Sequence, residues 1–467
     1  MSAHRVAVVG AGAAGLTAAL RAAEAGARVT LLNAHPQVGL KILMSGGTRC
    51  NVTHREVTAR DFHGGSRNVI ARILRAFPPD RTREWFESLG VPLVLEESGK
   101  YFPASDDAQT VLDALLGAIA RAGVELACGA RVVRLERGRD AEARGAGAGV
   151  GGVAVEARGV RADGCGPGDI WRLGIQDVGA SAAFSAAVHA VGGTEWPLPA
   201  VGPNRWLEAD AVVLATGGLS FPRTGSDGTG YALAAALGHT IVRPVPALTP
   251  LTSDDPLCVF VQGLALEVEL TLAVGGAPAA SARGPLLFAH FGYTGPAALD
   301  LSRSWLRAEG QGGREVRASF VPGTTRDALL AEWQAAAAAE PKLTVRRLLG
   351  RRLPDRLAVV LCAEVGVGPA RYASQVTRER RAELVERVCA RPLRVTGTLG
   401  YEKAEVTAGG VALDEVDAST LESRKAPGLY LCGEILDVEG RLGGFNFQFA
   451  WSSGTVAGRA AAKRVLA

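Results

Sequence analysis

The chain has 467 residues, with 51 Lys and Arg against 47 Asp and Glu, and a formal net charge of +4. Its apolar content of 48% and charged content of 21% exclude disorder over most of its length. The basic excess is too small for a dedicated nucleic-acid-binding protein. Seven cysteines without a CxxC pair predict neither a disulfide framework nor a zinc site, so we expect no bound metal.

The sequence carries no long apolar run, and its glycine-rich start lacks a basic leader and a cleavage region. Together with the dispersed cysteines, this predicts a cytoplasmic protein without a membrane anchor. The sequence does not indicate an oligomeric state. The 59 glycines exceed the usual share, and only their positions can explain them.

The first predicted elements form a βαβ unit. A strand over Arg5–Val9 leads through a glycine-rich turn to a helix over Leu16–Ala25 and a second strand over Arg28–Leu32. A helix is predicted over Ala108–Arg121 and a strand over Val124–Leu135. The Gly- and Pro-rich sequence that follows predicts loops or linkers without a core, within an insertion that spans about 138–205.

The later elements change in type along the chain. A buried strand over Ala211–Ala215 ends in glycines, and short strands are predicted from Pro244 to about Val321. Helical patterns then run between residues 326 and 389. A strand over Leu429–Leu431 and a helix from about Gln448 close the chain.

A dinucleotide fingerprint, Gly10-x-Gly12-x-x-Gly15, lies between the first strand and the first helix. Gly10 permits a tight turn, Gly12 lets a pyrophosphate approach, and Gly15 lets the helix pack closely, while the helix N-terminus attracts phosphates. The match at 147–152 lies in low-complexity sequence and predicts a loop. Asn33 stands where an acid normally binds the ribose. No second fingerprint has the right context. If the N-terminal site holds FAD, NAD(P)H would therefore dock transiently at the flavin, or another electron donor would be used.

Motifs in chain order resemble one family, the NAD(P)/FAD-dependent oxidoreductases related to aminoacetone oxidase and to the 3-dehydro-bile-acid reductase. The matching segments are 41–53, 101–103, 215–218, 221–228, 290–296, 406–411, 428–434 and 443–454. The chain departs from the family at Asn33 (usually Glu), at Leu40 (usually basic), at Thr48 (usually Gly) and in the 138–205 insertion.

The resemblance implies an α/β fold. It has a Rossmann-like FAD-binding domain of the two-dinucleotide-binding type, a β-barrel-like domain and a small helical insert domain. The expected bounds are 1–243 and 401–467 for the FAD-binding domain, 244–322 with a return strand at 391–400 for the barrel-like domain, and 323–390 for the helical insert.

The resemblance also implies which residues hold FAD. Glu434 would accept from ribityl or ribose hydroxyls, and the loop after the second strand would lie under the isoalloxazine. Arg49 would be available for the pyrophosphate or an anionic substrate, and Cys50 is expected to be packed rather than nucleophilic. The full set is Gly10, Gly12, Ala13, Ala14, Gly15, Asn33, Lys41, Ser45, Gly46, Gly47, Arg49, Cys50, Asn51, Val133, Ala215, Thr216, Gly217, Gly433, Glu434, Gly443, Gly444, Phe445 and Asn446.

Two further groups have alternative interpretations. His290, Tyr293 and Tyr401 have the chemistry for proton transfer to or from a substrate, although the 290–296 segment also fits a turn that closes the barrel. The arginines of 346–356 fit either a solvated helix face or a phosphate-binding patch for RNA. The members of that patch are Arg346, Arg347, Arg351, Arg352 and Arg356.

Three functions follow from these residues. The first is an FAD-dependent oxidoreductase that transfers a hydride between flavin N5 and a small organic substrate, an activated C=C or an amine, with NAD(P)H or oxygen as redox partner. The second is reduction of a uridine C5=C6 bond in ribosomal RNA by the same cofactor, as in a dihydrouridine synthase. The third is a flavin-binding scaffold without catalysis.

Overall fold

The computed structural model describes residues 4–139, 169–178 and 202–467. The chain forms two compact units, the first from Met1–Pro244 and Val406–Ala467 and the second from Val245–Glu405. The first therefore resumes at Val406, later than the expected 401, and Tyr401 belongs to the second unit.

The strands in chain order are β1 Arg5–Val9, β2 Arg28–Asn33, β3 Thr53–His54, β4 Phe62–Gly64, β5 Leu93–Leu95, β6 Lys100–Pro103, β7 Glu125–Cys128, β8 Ala130–Arg139, β9 Asp169–Asp177, β10 Arg205–Ala209, β11 Ala211–Leu214, β12 Ile241–Ala247, β13 Leu251–Thr252, β14 Ala265–Val274, β15 Ala277–Ala289, β16 Gly292–Thr294, β17 Arg314–Ser319, β18 Arg391–Leu393, β19 Gly397–Thr398, β20 Val406–Val411, β21 Leu429–Leu431 and β22 Val438–Gly440. The α-helices are α1 Ala13–Glu24, α2 Leu40–Thr48, α3 Arg67–Ala76, α4 Pro79–Ser88, α5 Ala108–Arg121, α6 Thr229–Ala236, α7 Pro256–Phe260, α8 Pro296–Arg307, α9 Arg326–Ala339, α10 Val345–Leu349, α11 Asp355–Glu364, α12 Arg378–Ala390 and α13 Phe445–Leu466.

The first unit is built on a five-stranded parallel sheet in the order β21-β11-β1-β2-β7. The apolar run Val6–Val9 is buried because the side chains of a central strand in a parallel sheet point to faces that helices cover. Helix α13 packs on α1 through glycines: a Cβ on Gly454 would lie 2.5 Å from the Ala14 carbonyl oxygen. The βαβ opening is confirmed, with α1 starting at Ala13 rather than Leu16.

A three-stranded antiparallel sheet, in the order β10-β9-β8, belongs to the same unit. Its middle strand β9 buries Trp171, Leu173 and Ile175. Residues 169–177 of the insertion form this strand through alternating apolar residues, whereas most of the Gly- and Pro-rich stretches predicted as loops lie outside the described residues. The second fingerprint match, at 147–152, lies outside the described residues.

The second unit contains a seven-stranded antiparallel sheet in the order β18-β17-β14-β15-β16-β13-β19. Leu301 and Trp305 of α8 are buried in the same core as Val268, Leu270 and Phe288 of the sheet. The predicted helices between 326 and 389 are present as α9–α12. In the described part of the chain, no helix combines the length and the apolarity needed to cross a membrane.

Candidate functional site

The turn after β1 has the geometry that the fingerprint predicts. Gly10 has φ +102°, and its N–H donates to the Leu32 carbonyl oxygen at 2.7 Å. A Cβ on Gly15 would lie 1.8 Å from the Gly10 carbonyl oxygen, so strand and helix are in backbone contact. At Gly12 a Cβ would meet no atom within 4 Å. The cradle is thus closed on its protein side and open at Gly12, where a pyrophosphate fits.

Helix α1 presents its N-terminus at this opening. Gly12 is its N-cap, no side chain in the described residues caps it, and its first turn holds no acid. The N–H groups of a first helical turn have no partner within the helix, and they lie at the positive end of the helix dipole. Gly12, Ala13 and Ala14 therefore supply donors suited to an anion.

Asn33, at the end of β2, is occupied by backbone contacts. Its Oδ1 accepts from the Ala11 N–H at 3.1 Å, and its Nδ2 donates to the carbonyl oxygens of His35 and Gln37 at 2.7 and 2.9 Å. The side-chain amide of Asn33 thus stabilises the turn next to Gly10 and Gly12. A hydrogen bond from Asn33 to a ribose would have to compete with these contacts.

The segment after β2 is a helix that ends early. Ser45, Gly46 and Gly47 have non-helical backbone angles inside the range of α2, so the expected loop begins at Ser45. Thr48, in the usual glycine position, has φ +70°, which is a strained conformation for a β-branched residue. This places an exposed, strained loop directly before Arg49 and Cys50.

Arg49 is already paired with acids. Its guanidinium is 2.8 Å from Glu96 and 3.2 Å from Asp106, and it lies over the Phe102 ring at 4.0 Å from the ring centre. These contacts argue against the expectation that Arg49 is available for a pyrophosphate or an anionic substrate. Cys50 is fully buried, and burial raises the pKa of its thiol to about 12, so it stays protonated at neutral pH.

The segment 51–53 is joined to the start of α13. With its amide oriented to satisfy both groups, Asn51 donates to the Thr53 carbonyl oxygen and accepts from the Gly444 N–H, each at 3.0 Å. Trp451 Nε1 donates to the Val52 carbonyl oxygen at 2.9 Å, and Thr53 Oγ1 donates to Gln448 at 2.6 Å. Residues far apart in sequence are thus fixed in one place.

Helix α13 offers a second N-terminus that no side chain of residues 4–139, 169–178 or 202–467 caps, with Gly444 as its N-cap. The side chain of Asn446 is held by the backbone of Gly440, at 2.7 Å to the N–H and 2.9 Å to the carbonyl oxygen. Gly454 packs on Ala14, and nine residues of helix separate it from Phe445, or about 14 Å at 1.5 Å per residue. Two helix N-termini separated in this way fit an elongated ligand with two acceptor regions.

Glu434, after β21, is held by three donors. Its Oε1 accepts from Ser220 Oγ at 2.8 Å and from the Thr407 N–H at 2.9 Å, and its Oε2 accepts from Lys41 Nζ at 2.9 Å. A Cβ on the preceding Gly433 would lie 2.6 Å from the Ala14 side chain. Residue 433 thus packs on the N-terminal turn of α1, and the Glu434 carboxylate joins three other segments of the first unit.

The remaining cofactor candidates lie on β8 and after β11. Ala215 forms the wall beside Gly10, and the Thr216 hydroxyl is buried without a hydrogen-bond partner among the described residues. Gly217 has φ +74°. Val133 is half-buried at an irregularity in the pairing of β8 with β9.

The three candidates for proton transfer all belong to the second unit. His290 is exposed in the turn between β15 and β16, and Tyr401 is buried. Tyr293 is fully buried, its hydroxyl donates to Asp255 at 3.0 Å, and burial raises its pKa far above the usual range. Arg391 also pairs with Asp255. This placement argues against proton transfer by Tyr293 and makes it a core residue.

The arginine-rich segment 346–356 is largely neutralised by nearby acids. Arg346 pairs with Asp355, Arg351 with Glu340 and Arg352 with Glu332. Arg356 donates to the Gln262 carbonyl oxygen at 3.3 Å. These pairs favour the solvated helix face over a phosphate-binding patch, because a paired guanidinium must give up its carboxylate to bind phosphate.

Several relatives match nearly the whole chain. The 3-dehydro-bile acid delta(4,6)-reductase of Clostridium scindens is 30% identical over 99% of this chain and 100% of its own length. The ribosomal RNA dihydrouridine synthase of Haemophilus influenzae is 29% identical over 96% of this chain and 95% of its own. Among solved structures, a 3-ketosteroid delta1-dehydrogenase from Sterolibacterium denitrificans aligns over 99% of this chain and 100% of its own at 12% identity, with a TM-score of 0.45.

The parallel sheet, the open phosphate cradle and the 30% identical full-length relative define the class of protein: it is an FAD-dependent oxidoreductase with a Rossmann-type nucleotide-binding domain. The chain belongs to the family described as the HI0933-like protein Rossmann domain, whose model matches residues 4–149 and 169–460.

Proposed function

We propose that the first unit holds FAD along the carboxyl ends of its parallel strands. The observation that carries this proposal is the cradle, closed at Gly10 and Gly15 and open at Gly12 beside the N-terminus of α1. Gly12, Ala13 and Ala14 would bind the pyrophosphate through N–H groups. Asn33 and Val133 lie on the adenosine side, and the N-terminus of α13 at Gly444 would donate to the flavin.

Bound FAD would exchange a hydride with a substrate at its N5 atom. We propose reduction of an activated carbon–carbon double bond in a small organic molecule as the reaction. The names of the Clostridium scindens and Haemophilus influenzae relatives denote saturation of such a bond, and this supports a C=C substrate over an amine. Of the three candidates for proton transfer, His290 is the exposed one and has the chemistry of a proton donor.

NAD(P)H is the proposed electron donor. The sequence has one fingerprint in the context of a strand and a helix, so a nicotinamide would dock transiently at the flavin rather than in a Rossmann domain of its own. All six described cysteines are free thiols, which supports a reducing compartment such as the cytoplasm.

The decisive experiment is anaerobic reduction of the purified protein, followed by flavin absorbance. We expect NADH or NADPH to bleach the flavin band and an α,β-unsaturated ketone to restore it. Oxygen alone as the acceptor would make the protein an oxidase. Reduction by dithionite with no response to any acceptor would favour the non-catalytic scaffold.

A second candidate is reduction of uridine in ribosomal RNA, favoured by the 29% identical synthase that matches nearly the full chain. It requires RNA binding that weakens as salt rises. The test is binding of ribosomal RNA at low salt by the wild type and by a variant with Arg346, Arg347, Arg351 and Arg352 changed to Ala. Weaker binding by the variant supports this function, and no binding by the wild type contradicts it.

A further inference from the structure

Lys41 is held in a triangle of polar contacts. Its Nζ donates to Ser220 Oγ at 2.8 Å and to Glu434 Oε2 at 2.9 Å, while Ser220 Oγ donates to Glu434 Oε1 at 2.8 Å. Residues 41, 220 and 434 come from three distant parts of the chain. The side chains of Lys41 and Glu434 keep 23% and 20% of their exposure, so the triangle is open on one side.

The triangle lies on the flavin side of the proposed cofactor site. The sheet has the order β21-β11-β1-β2, and in the proposed binding mode the adenosine lies at β2 and the pyrophosphate at the turn after β1. An extended dinucleotide would continue past β1 towards the ends of β11 and β21. Ser220 follows β11 and Glu434 follows β21, so both stand where the isoalloxazine half would lie.

Both residues of this ion pair are tied to the backbone of the first unit. Glu434 is anchored from behind by the Thr407 N–H of β20, and the Thr407 hydroxyl accepts from the N–H groups of Leu219 and Ser220 at 2.7 and 3.0 Å. Lys41 approaches from α2, whose N-cap Gly39 donates to the Ala11 carbonyl oxygen in the cradle. Two of the three ammonium hydrogens are bound among the described residues, which leaves the third for a ligand.

We propose that Lys41 stabilises the negative charge of the reduced flavin, and that Glu434 and Ser220 position it for this purpose. The inference rests on the proposed FAD site. A hydride that moves from NAD(P)H to N5 carries two electrons and one proton, so the neutral ring becomes an anion while the nicotinamide is oxidised. A fixed cation beside the ring binds that anion more tightly than the neutral ring, which raises the reduction potential.

A cation that contacts only the pyrophosphate would behave differently. The pyrophosphate carries the same charge in both redox states, so loss of Lys41 would weaken oxidised and reduced FAD equally and leave the potential unchanged. A purely structural ion pair would lower the thermal stability of the protein and would also leave the potential unchanged. The potential therefore separates these roles.

The test is the midpoint potential of bound FAD, measured by reductive titration with a reference dye in FAD-loaded protein. We expect Lys41→Met to lower it by about 30 mV, which corresponds to tenfold weaker binding of the reduced form relative to the oxidised form in a two-electron couple. Lys41→Arg keeps the charge and should stay close to the wild type. Glu434→Gln removes the compensating charge and should shift the potential upward.

Opposite shifts in Lys41→Met and Glu434→Gln would support the proposal. An unchanged potential in Lys41→Met with FAD bound would overturn it and leave the FAD site intact. If Lys41→Met fails to fold, Ser220→Ala replaces it, because a loosened Lys41 should lower the potential by a smaller amount, and an unchanged value there overturns the proposal. Wild-type protein that binds no FAD would instead contradict the proposed function itself.

Discussion

The carbonyl oxygen of Gly10 lies 1.8 Å from the place that a Cβ on Gly15 would occupy. Between these residues Gly12 faces open space, with no atom within 4 Å of its own Cβ position. Glycines of one motif therefore have separable functions. Gly15 lets the strand and the helix touch, and Gly12 leaves room for a ligand.

We expect Gly15→Ala to destabilise the protein by about 3 kcal/mol or more, because the methyl group must displace backbone rather than a flexible side chain. Gly12→Ala should fold with nearly unchanged stability, since Gly12 has φ −86° and free space around it, yet bind FAD at least about tenfold more weakly. Thermal unfolding and flavin fluorescence measure the two effects. Equal FAD affinity in Gly12→Ala would contradict the position of the pyrophosphate.

Thr48→Gly should stabilise the protein. Thr48 has φ +70° and is exposed, so its side chain brings left-handed strain. Glycine removes that strain, but it also raises the conformational entropy of the unfolded chain, which opposes folding. The net effect is an increase of about 0.5–1 kcal/mol in the free energy of unfolding. The measurement is the thermal midpoint of the first unit without cofactor, with Thr58→Gly, a substitution at an extended N-cap, as a control that should not gain stability. A lower midpoint in Thr48→Gly would contradict the strain.

His239 should make stability depend on pH. Its Nδ1 lies 3.0 Å from Glu415 and its Nε2 lies 2.7 Å from Ser423, and burial lowers its pKa below the usual 6.5. Below pH 6.5 the unfolded state therefore binds more protons than the folded state. The contribution of the neutral His239 to the free energy of unfolding is fully present above pH 6.5 and is lost as the pH falls below it.

The test measures the thermal unfolding midpoint at pH 7.5 and pH 5.5 and compares the change between the wild type and His239→Gln. The wild type should lose more stability on acidification than the variant. The exposed His290→Gln serves as the matched control and should behave like the wild type. An identical loss in the wild type and in His239→Gln would show that His239 does not cause the dependence.

Tyr293→Phe should act on stability rather than on catalysis. It removes a hydroxyl that donates to the buried Asp255, which we expect to cost about 1–3 kcal/mol. The rate of flavin reoxidation by substrate should stay within about twofold of the wild type. If Tyr293→Phe instead slowed flavin reoxidation about a hundredfold and left stability unchanged, Tyr293 would be a proton donor.

Local patterns in the sequence predicted much of the first unit. The strand at Arg5–Val9, the fingerprint turn and the helix at Ala108–Arg121 follow from short-range periodicity and glycine spacing. Both helices after glycine turns start earlier than expected, at Ala13 and Phe445, because the glycines act as N-caps rather than as part of a loop.

Partners that are distant in sequence could not be predicted in this way. Arg49 looked available because Glu96 lies 47 residues away, and Tyr293 looked catalytic because Asp255 lies 38 residues away. Lys41 and Glu434 are 393 residues apart. The spacing of residues along the sequence indicates which of them share one strand or helix, but ion pairs between elements depend on the tertiary fold.

The flavin content of the purified protein tests the central claim most directly. Absorbance between about 300 and 700 nm, followed by heat denaturation and identification of the released cofactor, measures it. We predict flavin absorbance bands and about one FAD released per chain. A colourless protein that releases no FAD, and that gains no flavin spectrum when FAD is added, would contradict the account.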